Sequence, residues 1–212
     1  MAREPAIVRE IRACTLCRDA LPQPPRPIFQ FSARAPILIT SQAPGIRAHE
    51  SGRTFWDPSG DRLRDWLGVT KDAFYDARRF AIVPMGFCYP GTGKGGDLAP
   101  RPECAAHWHP RIVPRLGEPA LVLYVGAYAL RHYLADRWTG SVTDVVSAWR
   151  EVGPRVVPLP HPSPRNQGWF RRNPWFEAEL LPRLRRRVKR ALAAVDRAEG
   201  PRSRAAPHGR GA

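Results

Sequence analysis

The sequence has little lysine, and it contains no run that approaches the ~20 apolar residues a membrane-spanning helix needs. Its first ten residues also lack the apolar centre of a secretion signal. We therefore expect a soluble, cytoplasmic protein with no membrane partner. Hydrophobic residues make up 43% of the chain, which is enough for a core and excludes full disorder.

Arginine carries almost all of the positive charge. The formal net charge is +15, and only three of the 34 cationic residues are lysines. A surplus of this size indicates a polyanionic partner, nucleic acid first and an anionic membrane surface second. Six cations crowd residues 183–190, where a solvated basic helix is an equally good explanation. The charge by itself therefore indicates only an acidic partner.

Four short apolar runs predict buried strands, at residues 36–40, 80–85, 120–125 and 155–159. Stretches of helical character occupy residues 61–67, 101–115, 127–137 and 174–194, and a small helix is expected near the N-terminus. This alternation predicts an α/β fold, a three-layer α/β/α sandwich around a short, mainly parallel four-stranded sheet.

The remaining segments define the expected domain limits. We predict one domain over residues 1–198 and a disordered basic tail over 199–212, where apolar periodicity is lost. The glycine-rich residues 91–102 predict a flexible loop. We expect the protein to be a monomer.

The four cysteines form a C-x2-C pair followed by two distant single thiols: Cys14, Cys17, Cys88 and Cys104. Four thiols suffice for one tetrahedral metal ion or one iron–sulfur cluster, whereas disulfides are unexpected inside the cell. Separate core cysteines are the alternative, but the pair lies in a polar segment. The spacing alone favours zinc, because Cys₄ zinc sites are the commoner kind.

Two polar motifs directly follow predicted strands. Residues 41–45 (SQAPG) come after the first strand, and residues 160–166 (PHPSPRN) come after the fourth. Ligands bind at the carboxyl ends of strands in open α/β sheets, so Gln42 and His161 are expected at the same edge. An ordinary strand-to-loop turn is the alternative explanation for the first motif.

Aromatic residues lie near both motifs. Phe55, in the sequence GRTFWD, suits stacking on a flat heterocycle. Residues 169–176 interleave aromatics with Arg171 and Arg172, a pattern that suits stacking on bases and contacting phosphates. Packing in the core is the rival explanation for Trp175 and Phe176.

Four motifs in this order resemble the uracil-DNA glycosylase superfamily: A-P-G at 43–45, G-R-x-F at 52–55, the cysteine pattern, and H-P-S at 161–163. They are most similar to its iron–sulfur branch, often called family 4, over about residues 11–176. The resemblance implies a monofunctional DNA repair enzyme that hydrolyses the N-glycosidic bond of uracil in DNA and leaves an abasic site. It also implies a [4Fe–4S] cluster on the four cysteines, in place of zinc.

The resemblance further implies roles for individual residues. Phe55 would stack on the flipped uracil, and backbone N–H groups around Gln42 and Ala43, with Gly45 nearby, would hold its carbonyl. His161 would bind O2, where negative charge grows as the base departs. Ser163 would contact the DNA substrate, and Arg165 would enter the space that the base vacates.

The first motif departs from the family pattern. The family usually has G-E-x-P-G followed by an acidic run, whereas Gln42 replaces the glutamate here and residues 46–49 replace the run. We predict that Gln42 positions the attacking water, with Asp57 as the second candidate. Residues 82–88 also lack the usual asparagine.

The alternative function is a non-catalytic protein that binds damaged or single-stranded DNA on the same scaffold.

Overall fold

The computed structural model describes residues 4–199, except for the side chains of the last two. Glu199 closes the last helix, and residues 200–212 of the predicted tail lie outside the described residues. No helix in the described part of the chain is long and apolar enough to cross a membrane.

The strands run in chain order as β1 (Ile37–Thr40), β2 (Phe80–Ile82), β3 (Thr92–Gly93), β4 (Gly96–Asp97), β5 (Leu121–Val125) and β6 (Val156–Leu159). Four of them form one parallel sheet in the order β2-β1-β5-β6. All four predicted strands are thereby confirmed. The second ends before Pro84, which has no N–H to extend a ladder.

The helices are α1 (Ala6–Arg12), α2 (Ile46–Ser51), α3 (Pro58–Leu67), α4 (Lys71–Tyr75), α5 (Pro102–Ile112), α6 (Ala127–Tyr133), α7 (Val142–Ser147), α8 (Gln167–Arg172) and α9 (Leu181–Glu199). The residues before α9, Phe176–Leu180, form a π-helix. The predicted helices are present, but two end early in 3₁₀ turns, at Val113–Arg115 and Ala135–Arg137.

The two faces of the sheet are covered by different helices. Ile37 and Ile39 point to the face that packs against α3 and α9, and Leu38 points to the face that packs against α1 and α5. All three side chains are at most 4% exposed. Strands covered on both faces explain why the apolar runs show no alternation. The predicted three-layer α/β/α sandwich is confirmed.

The glycine-rich segment contains regular structure that the prediction of a flexible loop missed. Within residues 91–102, β3 and β4 form an antiparallel hairpin with Thr92 opposite Asp97. Lys94 and Gly95 make the two-residue turn between them. Each strand has only two residues, so no alternating pattern was available in the sequence.

Candidate functional site

A cavity of about 490 Å³ opens at the carboxyl edge of the parallel sheet. The loops after β1 and β6, the turn before α3 and the β3–β4 hairpin all contribute to it. The eight residues predicted to act in catalysis or substrate binding all line this cavity: Gln42, Ala43, Gly45, Phe55, Asp57, His161, Ser163 and Arg165. Gln42 and His161 lie at the same edge of the sheet, as expected from the sequence.

His161 is held in place by its neighbours in the sheet and in its own loop. Asn166 donates from Nδ2 to the His161 carbonyl at 2.7 Å. The imidazole lies against Gly126, where an added Cβ would come within 3.3 Å of His161 Cβ and Cδ2. Gly126 also has a φ of 82°, which favours glycine. A side chain at position 126 would therefore displace the ring.

Burial sets the protonation state of His161. Desolvation lowers its pKa to about 4, against a smaller opposing effect of Asp97. The ring is therefore neutral at neutral pH, with one donor and one acceptor nitrogen. Neither ring nitrogen has a hydrogen-bond partner among the described residues. A neutral donor that faces a cavity is available to a ligand oxygen.

The loop after β1 is fixed through its carbonyl groups. Met85 N–H donates to Ser41 at 2.7 Å, and Gly86 N–H donates to Gln42 at 3.0 Å. The backbone N–H groups of Gln42 and Ala43 donate to none of the described residues. The loop can therefore offer these two donors to a ligand without giving up an internal hydrogen bond.

Phe55 occupies an unusual backbone position at the cavity wall. Its φ is 53°, and it is the one non-glycine residue with positive φ in the described chain. The Tyr75 hydroxyl and the buried Arg64 guanidinium donate to the Phe55 carbonyl at 3.1 and 3.3 Å. Its ring packs edge-to-face on Phe74, with centroids 6.2 Å apart. The aromatic wall is thus fixed from behind.

Asp57 performs a structural role as well as lining the cavity. Its Oδ1 accepts from Gly60 N–H at 2.8 Å and caps α3, with Pro58 following at the first helical position. One carboxylate oxygen is therefore already engaged. Gln42 is half-buried, and its side chain makes no hydrogen bond to a described residue.

Sequence reasoning missed a second acidic residue in this cavity, Asp97 on β4. Its Oδ2 lies 2.8 Å from the position that a Cβ on Gly45 would occupy, so the carboxylate contacts the first motif. Thr92 donates to its other oxygen at 3.3 Å. The glycine pair just before Asp97 was the available signal, because it favours a tight hairpin turn.

Arg165 contacts the tip of the same hairpin. Its Nη1 donates to the Gly95 carbonyl at 2.7 Å, and a Cβ on Gly96 would clash with that nitrogen at 1.9 Å. Arg62 donates to the Ser163 carbonyl at 3.0 Å, which joins α3 to the loop after β6. The hairpin and this loop therefore form one side of the cavity.

The aromatic segment after the cavity divides between core and surface. Phe176 is 0% exposed and Phe170 is 9% exposed, so the core-packing explanation is correct for Phe176. The Trp169 indole donates to Thr143 at 2.8 Å. Arg171 and Arg172 are exposed and remain available to phosphates.

A second, smaller cavity is lined by all four cysteines: Cys14, Cys17, Cys88 and Cys104. Burial raises the pKa of Cys88 to about 11 and that of Cys104 to about 12. Three N–H groups point at sulfur. Trp108 Nε1 donates to Cys14 and Phe87 N to Cys104, both at 3.3 Å, and Leu16 N donates to Cys14 at 3.5 Å. No group of three or more His, Cys, Asp or Glu side chains in the described residues is arranged to hold a single metal ion.

Comparison with known protein families identifies the superfamily to which the chain is similar. The model of the uracil DNA glycosylase superfamily matches residues 28–185, which is more than half of the chain. The matched region begins before β1 and ends inside α9, so it includes the whole parallel sheet and every loop that lines the larger cavity.

We expect the imidazole of His161 to stay neutral down to about pH 5, because its pKa lies near 4. An NMR titration of the ring protons, assigned by their loss in His161→Gln, measures this directly. Protonation should appear only as the pH falls through about 4. A midpoint near 6.5, the ordinary value for histidine, would contradict the desolvated position.

Proposed function

Because the chain belongs to the uracil DNA glycosylase superfamily, we propose that it is a monofunctional DNA repair enzyme that hydrolyses the N-glycosidic bond of uracil or another deaminated base. Its substrate would be DNA, and its product an abasic site. The observation that carries this proposal is a neutral His161 facing the same cavity as Phe55 and the free N–H groups of Gln42 and Ala43.

The cavity suits a single flipped base. Phe55 offers an aromatic face whose position is fixed by contacts behind it. The unpaired N–H groups of Gln42 and Ala43 would hold a carbonyl group of the base. Extruding a nucleotide costs a few kcal/mol, which stacking and these hydrogen bonds offset.

His161 would stabilise the leaving group. As the C1′–N1 bond breaks, its electron pair stays with uracil, and negative charge accumulates on the O2 oxygen. A neutral imidazole that donates to this oxygen binds the transition state more strongly than the substrate. Because the ring is already partly buried, it has less water to shed as the charge develops.

Asp97 would activate the water that attacks C1′. Its carboxylate lies beside the first motif and close enough to His161 to influence the pKa of that ring. In this role it accepts the water proton as the hydroxyl bonds to C1′. Gln42 orients the water, and Asp57 is a weaker candidate because it also caps α3.

Arginines around the cavity would hold the DNA. Arg165 reaches the mouth of the cavity, and Arg171 and Arg172 are exposed on the neighbouring helix α8. An arginine fork matches the geometry of a phosphate group. We propose that Arg165 enters the duplex where the base has left, which requires it to release Gly95.

We further propose that the four cysteines hold a [4Fe–4S] cluster. The residues present fit such a group, because all four thiols line one cavity and N–H donors point at two of the sulfurs. A cluster spaces its thiolates more widely than a single ion does, since each sulfur binds a different iron. The cluster would join the segment after α1 to the loop after β2 and to α5.

The excision activity is tested with a uracil-containing oligonucleotide, followed by alkali cleavage at abasic sites. Wild-type protein should release uracil, and His161→Ala should slow single-turnover release by about 10²–10³-fold, because the leaving group loses its donor. His107→Ala is the matched control, since that histidine is exposed and outside the cavity. Tight DNA binding without any base release would support the non-catalytic alternative.

Asp97→Asn should reduce the single-turnover rate by about 10²–10⁴-fold, because the variant cannot accept a proton. Binding of an abasic product duplex should change little. Lys94→Gln, at the turn of the same hairpin, controls for disturbance of the hairpin itself. If Asp97→Asn keeps the wild-type rate while Gln42→Ala or Asp57→Asn loses it, the assignment is wrong.

The metal centre is tested by metal analysis and visible absorbance of anaerobically purified protein. A [4Fe–4S] centre should give brown protein with about four irons per chain, and Cys104→Ala should abolish both. Trp108→Phe removes only an N–H donor to Cys14 and should retain the iron. Colourless protein that contains one zinc per chain would overturn the iron assignment.

A further inference from the structure

A cleft of about 630 Å³ lies at the end of the sheet opposite His161. One wall is the turn that precedes β6, including Gly153 and Pro154, and the other wall is the outward face of α9. His161 follows the far end of β6. Among the described residues, one carboxylate lines the cleft, that of Glu151. Five arginines also line it: Arg150, Arg183, Arg186, Arg187 and Arg190.

The arrangement of four of these arginines follows from the amphipathic pattern of α9. Positions 183, 186, 187 and 190 are spaced i, i+3, i+4 and i+7, so they share one helical face. Leu184 and Val188 on the opposite face are each 1% exposed and pack in the core. Burial of that apolar face therefore directs the arginine face outward, into the cleft.

Two of the cleft arginines are already engaged. Arg187 donates from Nη1 to the Val156 carbonyl at 3.2 Å and from Nη2 to the Pro154 carbonyl. Arg150 forms an ion pair with Glu179 at 2.5 Å. These contacts hold the turn before β6 against α9 and give the cleft its shape.

The other three arginines leave the cleft with unbalanced charge. Arg183, Arg186 and Arg190 form no ion pair with a carboxylate among residues 4–197. Like charges at these spacings repel. Burial lowers the pKa of Arg187, and the neighbouring charges of Arg183 and Arg190 lower it further. A bound anion would relieve this repulsion.

Trp149 forms the apolar part of the cleft. The guanidinium of Arg150 lies 4.3 Å from the centre of its indole ring and that of Arg183 lies 5.5 Å away, so both are stacked on it. Trp149 is 5% exposed, and its Nε1–H has no hydrogen-bond partner in the described part of the chain. A buried donor without a partner costs about 1–3 kcal/mol. Trp149 thus has an unused buried donor, and its ring lies beside Arg183, which has no carboxylate partner among the described side chains.

We propose that this arginine cleft binds the phosphate backbone of a second DNA segment, separate from the segment held at the His161 cavity. Arginine forks match phosphate oxygens, and the lining offers charge and a flat ring but little that could read a base. The inference takes DNA as the partner from the proposed function. It does not depend on base excision.

The position of the cleft is the reason for assigning it a second segment. The His161 cavity and the arginine cleft lie at opposite ends of β6, and in this proposal each site holds its own duplex segment. Bending DNA sharply around a small protein costs up to ~10 kcal/mol. A protein that holds two segments can pass from one to the other without dissociating completely, and it can bridge them.

The test is a bridging assay with the full chain. Beads carry a short duplex without uracil, protein is loaded, and capture of a second, fluorescent duplex is measured. Wild-type protein should capture the second duplex. The triple variant Arg183→Gln, Arg186→Gln, Arg190→Gln should capture about tenfold less of it. A plot of log affinity for the second duplex against log salt concentration has a negative slope. In the variant this slope should be less steep by about 2.7, because three phosphate contacts are lost.

A charge-matched triple variant provides the control: Arg9→Gln, Arg34→Gln, Arg115→Gln. These arginines are exposed, and they lie on or beside α1 and α5, away from both clefts. Capture by the control should stay within about twofold of wild type, and both triple variants should keep the wild-type melting temperature and rate of uracil release. Unchanged capture by the α9 variant, or equal loss in both variants, overturns the proposal.

A final arm separates DNA from a small phosphate ligand. Inorganic tripolyphosphate could raise the melting temperature of wild-type protein but not of the α9 variant, while no second duplex is captured. That result would show that the cleft binds small polyphosphates, and it would overturn the DNA assignment. Loss of bridging when tripolyphosphate competes supports it. Absence of uracil release by wild-type protein would overturn the proposed function, whereas capture of the second duplex would still decide this inference.

Discussion

The contact between His161 and Gly126 is the constraint on which the His161 cavity depends. Gly126 follows β5 and His161 follows β6, and the two strands are neighbours with Val125 opposite Leu159. The Gly126 N–H donates to the Leu159 carbonyl at 2.9 Å, which continues the ladder to the edge of the sheet. The register of β5 and β6 therefore sets the distance between the His161 ring and the backbone of Gly126. The half-buried ring lies beside that backbone, and its burial lowers its pKa and keeps it neutral.

The remaining walls of the cavity are built onto this edge from three separate parts of the chain. The loop after β1 is tied to the loop after β2 through the Ser41 and Gln42 carbonyls. The turn before α3 presents Phe55, and the β3–β4 hairpin presents Asp97 and is joined to Arg165. These hydrogen bonds do not use the Phe55 ring or the N–H groups of Gln42 and Ala43. The site can therefore exist before any ligand arrives.

Much of this could be predicted from the sequence, because the signals were local. Continuous apolar runs indicated strands buried on both faces, and polar motifs directly after β1 and β6 indicated a shared edge. Asp97 was missed, because the glycine pair before it indicates a turn but does not show that the resulting two-residue strands bring the carboxylate beside Gly45. Phe176 was ambiguous because a stacking aromatic and a core aromatic have the same local pattern, and only tertiary packing separates them. The short helices α2, α4 and α7 have too few residues to show a period.

The left-handed backbone of Phe55 has a thermodynamic consequence for ligand binding. A non-glycine residue in this region costs of order 1–3 kcal/mol, and here the Tyr75 hydroxyl and the Arg64 guanidinium offset part of it. That cost falls on the folding equilibrium, as does the entropy lost by immobilising the ring. A flat ligand consequently meets a surface that is already ordered, so its affinity is not reduced by ordering the aromatic wall. The free energy of ordering this wall lowers the stability of the fold and does not lower the affinity for the ligand.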